Sequence, residues 1–132
     1  MRGPRGWVAA AAAWALVIVV FGVIPTHERL QATVGSWENA VASALHFAEY
    51  AALAFLLAVA IAGWRVTARG LVWAALVAVT LGWAVEVVQL PLSYRDFQAA
   101  DGIVDMAGAA VGLAVFTGVA AQRAARRPEH RG

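Results

Sequence analysis

Residues 86–112 read EVVQLPLSYRDFQAADGIVDMAGAAVG, and this stretch decides how the chain is organised. It joins the end of one long apolar run to the start of the next. Within it sit Glu86, Gln89, Arg95, Asp96, Asp101 and Asp105, whereas long tracts elsewhere carry no charge. Ionisable groups at the edge of an apolar run are costly to bury, so their clustering points to a use.

Outward from that stretch, the composition sets the solvent. The 132 residues are 62% hydrophobic with a mean hydropathy of +0.71. A water-soluble chain this short cannot cover so much apolar surface. Apolar segments of about residues 7–24, 42–64, 70–90 and 102–121 are each close to the ~20 residues a helix needs to cross the hydrocarbon core. The expectation is an all-α, integral membrane four-helix bundle forming a single domain over residues 1–132, in the inner (cytoplasmic) membrane. The first run follows Arg2 and Arg5 like a signal peptide. It is longer than a signal peptide's core, has no small-residue cleavage site and stops at Pro25, so it reads as a retained helix.

Charge gives orientation. All ten basic residues are Arg. Arg2, Arg5, Arg65, Arg69, Arg123, Arg126, Arg127 and Arg131 fall on one side of a four-span topology, with Arg29 and Arg95 on the other. The positive-inside rule then places both termini in the cytoplasm. The polar residues at the ends of the spans accordingly lie at the outer face. Residues 26–40 hold Trp37 among polar neighbours and suit a short interfacial helix.

Those outer-face residues come from three helices. His46, Glu49 and Tyr50 are spaced i, i+3, i+4 at the entry to the second span, and Glu86 and Gln89 share a face at the end of the third. Trp83, three residues before Glu86, belongs to that same side by spacing. Asp101 suits the N-cap of the fourth span, and Asp105 follows one turn in. Glu49 also suits a lipid-facing, snorkelling position, and Asp96 a solvated or capping one.

Three functions fit. The first is binding or modifying a membrane lipid or a lipid-linked, amphiphilic envelope molecule, with Tyr50, Gln89, Arg95, Asp101 and Asp105 as ligand-binding residues and Arg95 as the clamp for an anionic group. The second is a membrane hydrolase or transferase with His46 and Glu86 as acid and base. The third is a structural subunit whose polar groups tie helix ends together while Gly108 and Gly112 receive a partner. In each case an Arg95–Glu86 ion pair is expected, completed by Gln89 or His46, because Arg stays charged and Glu86 sits in the driest surroundings.

Other classes are excluded or unsupported. Without Cys there is no disulfide framework, thiolate metal site or Cys nucleophile. The Arg residues form no basic face interleaved with aromatics, so nucleic acid is not an expected partner. No phosphate loop, Gly-x-Ser-x-Gly turn or HExxH motif occurs, so neither a cofactor nor a metal is expected. A set of His46, Glu86, Asp101 and Asp105 has the donor types for a hard metal ion but no supporting motif.

The ordered pieces resemble the VanZ-like family of small bacterial membrane proteins. His46-Phe47-x-x-Tyr50-x-x-Leu53 is similar to the family's His-Phe helix entry, and Glu86-x-x-Gln89 to its Glu-x-x-Gln. Arg95-x-Phe97-x-x-x-Asp101, followed by Gly108 and Gly112, is similar to its Arg-to-Asp loop and last helix. The resemblance covers Leu45 to Gly112. Two positions depart: Ala42-Ser43 stand where an Asp-Lys pair is usual, and Asp105 where Asn is usual. The carboxylate at Asp105 and the missing Lys make this site more acidic than the resemblance implies for the family. The resemblance implies an association with resistance to the glycopeptide teicoplanin, a property of the family's named member.

Overall fold

A computed structural model describes residues 3–24, 37–91 and 99–126. It has four helices and, among the described residues, no strand: α1 (Pro4–Val23), α2 (Glu38–Ala62), α3 (Ala68–Gln89) and α4 (Ala99–Ala125). Each contains a segment long and apolar enough to cross a membrane: Pro4–Val23, Ala40–Ala62, Ala68–Gln89 and Gly102–Ala125. At 1.5 Å per residue, the 20 residues of α1 rise about 30 Å, the thickness of the hydrocarbon core.

Local signals set the helix ends. Pro4 opens α1, where its missing N–H costs nothing. Gly63 closes α2 with φ of 63°, a left-handed conformation that side chains resist. Thr67 caps α3, its hydroxyl accepting from the Gly70 N–H at 3.1 Å. Asp101 lies inside α4, in its first turn, and not at the N-cap expected from the sequence. A carboxylate there still favours the helix through the dipole at its N-terminus.

The helices pack through small residues. α2 is central and makes its most extensive interface with α4, then packs on α3 and α1. Ala54, Ala58, Ala74 and Ala78 are fully buried, and Tyr50, Leu53, Val59 and Phe116 are the largest buried side chains. Lipid tails are as apolar as Leu, so contact between helices depends on close backbone approach. Gly108 and Gly112 supply it: a Cβ at either would collide with the carbonyl oxygens of Phe47 and Ala51 on α2. That stripe is therefore used inside the bundle, not left open to a partner as the structural-subunit reading expected. Outward, Val8, Leu16, Phe21, Leu76, Ile103 and Val115 are exposed, as a lipid-facing surface requires.

Candidate functional site

The up-and-down order of the helices brings the start of α2, the last turns of α3 and the start of α4 to one end of the bundle. Among the described residues four polar side chains are buried there, within the candidate membrane spans: Tyr50, Glu86, Gln89 and Asp105. His46 joins them from α2. Its Nδ1 lies 3.3 Å from Asp105 Oδ1, with the two side chains 18% and 5% exposed. The contact is at ion-pair distance without the alignment of a hydrogen bond.

The geometry around that contact follows from small residues. Gly82 on α3 faces Asp105 and Tyr50: a Cβ built on it would lie 3.2 Å from Asp105 Oδ2 and 3.3 Å from the Tyr50 ring. Three helices thus meet at one point, α2 with Tyr50, α3 with Gly82 and α4 with Asp105. Asp105, Glu49 and Glu86 are all near enough to the Tyr50 hydroxyl to act on it electrostatically. The described part of the site is acidic, with His46 its one basic group.

α1 contributes as well, which the sequence reading missed. Gln89 Nε2 donates a buried hydrogen bond of 2.8 Å to the Gly22 carbonyl. Gly22 lies in the last turn of α1, where carbonyls have no intrahelical donor, and Gln89 satisfies one of them. Trp14 makes a second tie, its ring N–H donating to the Glu49 carbonyl at 2.9 Å. Glu49 is half-buried and engaged, so it is not a purely lipid-facing side chain.

Trp83 does not share the side of Glu86: it is 43% exposed while Glu86 is 4% exposed. Its ring lies against Gly102 of α4, where a Cβ would come within 3.5 Å. The three-residue step from Trp83 carries far enough around α3 to separate a lipid-facing ring from a buried carboxylate. Arg95 and Asp96 lie outside the described residues, as does the side chain of Asp101, and with them the expected Arg95–Glu86 pair. Among the described residues, no three His, Asp or Glu side chains are arranged to hold a metal ion.

The family model described as VanZ/LLP1 matches residues 7–120. The chain belongs to the VanZ family. The match runs from the first turns of α1 to the last turns of α4, so all four helices are part of the family's pattern. With four spanning-capable helices, this VanZ-family member is a multi-pass membrane protein. No curated protein and no solved structure matches the chain.

Proposed function

We propose that this VanZ-family protein sits in the inner membrane with both termini cytoplasmic and binds a lipid-linked or amphiphilic envelope component in a polar pocket at its outer face. His46, Tyr50, Glu86, Gln89 and Asp105 form its floor, and Arg95 and Asp101 are the further ligand-binding residues of this reading. The observation that carries the reading is the burial of Glu86 and Asp105 within candidate membrane spans, with Asp105 3.3 Å from His46. Carboxylates at that level are expensive and are retained where they serve a ligand, a proton or a fixed pairing. The Arg distribution supports the orientation.

Two measurements test it. Native mass spectrometry of the purified protein is expected to find a retained envelope lipid that Glu86→Gln and Asp105→Ala release. Expression in a teicoplanin-susceptible host is expected to raise the inhibitory concentration, and His46→Ala, present at equal amount in the membrane, to return it to the empty-vector level. An unchanged inhibitory concentration with the native chain refutes the resistance role. Retention of the same lipid by all variants refutes the pocket.

One observation favours a catalytic version of this reading. The Asp105 carboxylate lies 3.3 Å from His46 Nδ1, which sets an acid and a base side by side at this end of the bundle. Glu86 would then be the second acid–base group. Glu86→Gln keeps the shape and hydrogen bonding of Glu86 while removing its basicity. Turnover surviving that change eliminates the hydrolase or transferase.

A further inference from the structure

The opposite end of the bundle is built differently. Trp7 of α1, Phe55 of α2, Trp64 just past the end of α2, and Phe116 of α4 form one aromatic assembly. Trp7 meets Trp64 edge-on at 5.7 Å, and Phe116 stacks on Trp64 at 6.2 Å with 25° between planes. Arg123 lies over the Trp64 ring, its Cζ 3.8 Å from the centroid. That contact fixes a long side chain and leaves its N–H edge free to engage an anion, because a guanidinium stacks by its face.

Two grooves flank this Trp64–Arg123 wall. One, of about 470 Å³, runs between Trp7, Phe55 and Val119; the other, of about 750 Å³, runs between Val66, Ala120 and Ala124. Arg123 and Arg126 border both, and Arg65 borders the second. Each groove therefore has an apolar floor and a cationic rim. Every described carboxylate lies toward the other end: Glu49 on α2, Glu86 late in α3 and Asp105 early in α4. No described side chain neutralises these arginines.

We infer that this end binds one anionic phospholipid, its phosphate held by Arg123 and Arg126 with Arg65 beside them, and its two acyl chains lying in the grooves on either side of Trp64. The chemistry selects an amphiphile. A soluble anion uses the rim and leaves the aromatic floor uncovered, and a zwitterionic lipid brings its own cation to the arginines. The site shares no residue with the polar cluster at the other end, so it stands or falls separately from the proposed pocket.

The test is native mass spectrometry of the full chain in detergent with equimolar phosphatidylglycerol and phosphatidylcholine of the same acyl composition. The native protein is expected to prefer phosphatidylglycerol. Arginines near a membrane surface each contribute about fivefold to anionic-lipid binding, so Arg123→Gln with Arg126→Gln is expected to cut the preference roughly 25-fold. Trp64→Leu keeps every charge but removes the platform, and is expected to lower the preference as well. Arg69→Gln is the control: Arg69 is exposed at the same end but borders neither groove. A loss with Arg69→Gln equal to that with Arg123→Gln would show diffuse surface attraction and overturn the site. So would an undiminished preference in the double variant, with its fold checked by gel filtration.

Discussion

Substituting Gly112 by Ala tests the packing on which the polar cluster depends. A Cβ built there would lie 2.8 Å from the Ala51 carbonyl carbon and closer still to its oxygen. Side-chain atoms keep at least 3.0 Å from such neighbours, and the neighbour here is helix backbone, which cannot rotate away. α2 and α4 must then separate, along the largest interface in the bundle. Forcing atoms into a packed interior costs about 1–3 kcal/mol, and an unyielding neighbour puts this site at the upper end, about 3 kcal/mol. Ala is the better helix former by about 1 kcal/mol. The net expectation is a loss of about 2 kcal/mol. Gly118→Ala supplies the reference, because that position is also in α4 and a Cβ there meets nothing within 4 Å. It should be neutral or stabilising. Thermal unfolding in detergent, read by the loss of the monodisperse gel-filtration peak, compares the two. Equal stability of Gly112→Ala and Gly118→Ala would refute the claim that backbone approach at Gly112 holds α2 to α4.

Three further expectations can be checked with the same material. Gln89→Leu removes the 2.8 Å bond to the Gly22 carbonyl and leaves that acceptor buried, so it should cost about 1–3 kcal/mol in the unfolding assay; no change would show the carbonyl is satisfied otherwise. Arg95→Ala should cost about 3–5 kcal/mol if it strands Glu86, with Glu86→Gln restoring part of the loss; strictly additive effects would dismiss the pair. Reporter fusions at Gly132 and within residues 26–40 should report cytoplasm and exterior respectively, and the reverse pattern would overturn the orientation drawn from the arginines.

The fold was largely legible because its signals are long-range averages along the chain. Runs of about twenty apolar residues cannot be mistaken for soluble helices, and Pro25 and Pro91 mark where two of them stop. The residues of the polar cluster were legible as positions, since a Glu86 or Asp105 among apolar neighbours stands out. What spacing left open was which face is buried. Trp83 and Glu86 looked like neighbours at i and i+3, yet one faces out and the other in, because the boundary between lipid and bundle passes between them. The role of α1 was hidden for a different reason. Its contribution is the Gly22 carbonyl, and a backbone group carries no side-chain identity to read. Gly108 and Gly112 were recognised as a close-approach stripe, but whether the approaching helix came from the same chain was a question of topology.

The polar cluster itself divides into two kinds of contact, and the division bears on whether it is scaffold or site. Gln89 to Gly22 and Trp14 to Glu49 both tie α1 to the bundle, and both end on backbone carbonyls. Those are helix-fastening contacts, and an amide and an indole suit them because neither carries a charge to desolvate. His46, Glu86 and Asp105 are different. A scaffold joining α2 to α4 already exists in Gly108, Gly112 and the alanines around them, so charged groups are not needed to hold these helices together. Replacing a buried ionic set by apolar residues of similar volume is often neutral or stabilising, which means stability alone does not maintain it. The Asp105 position sharpens the point: Asn would fill the same volume with no charge, whereas the carboxylate faces His46 at 3.3 Å. If the pair is structural, Asp105→Asn should lower the stability of the chain and leave its ligand retained. If it holds a proton or a ligand for chemistry at His46, Asp105→Asn should leave the fold intact and abolish the response to His46 that the resistance and lipid-retention assays read.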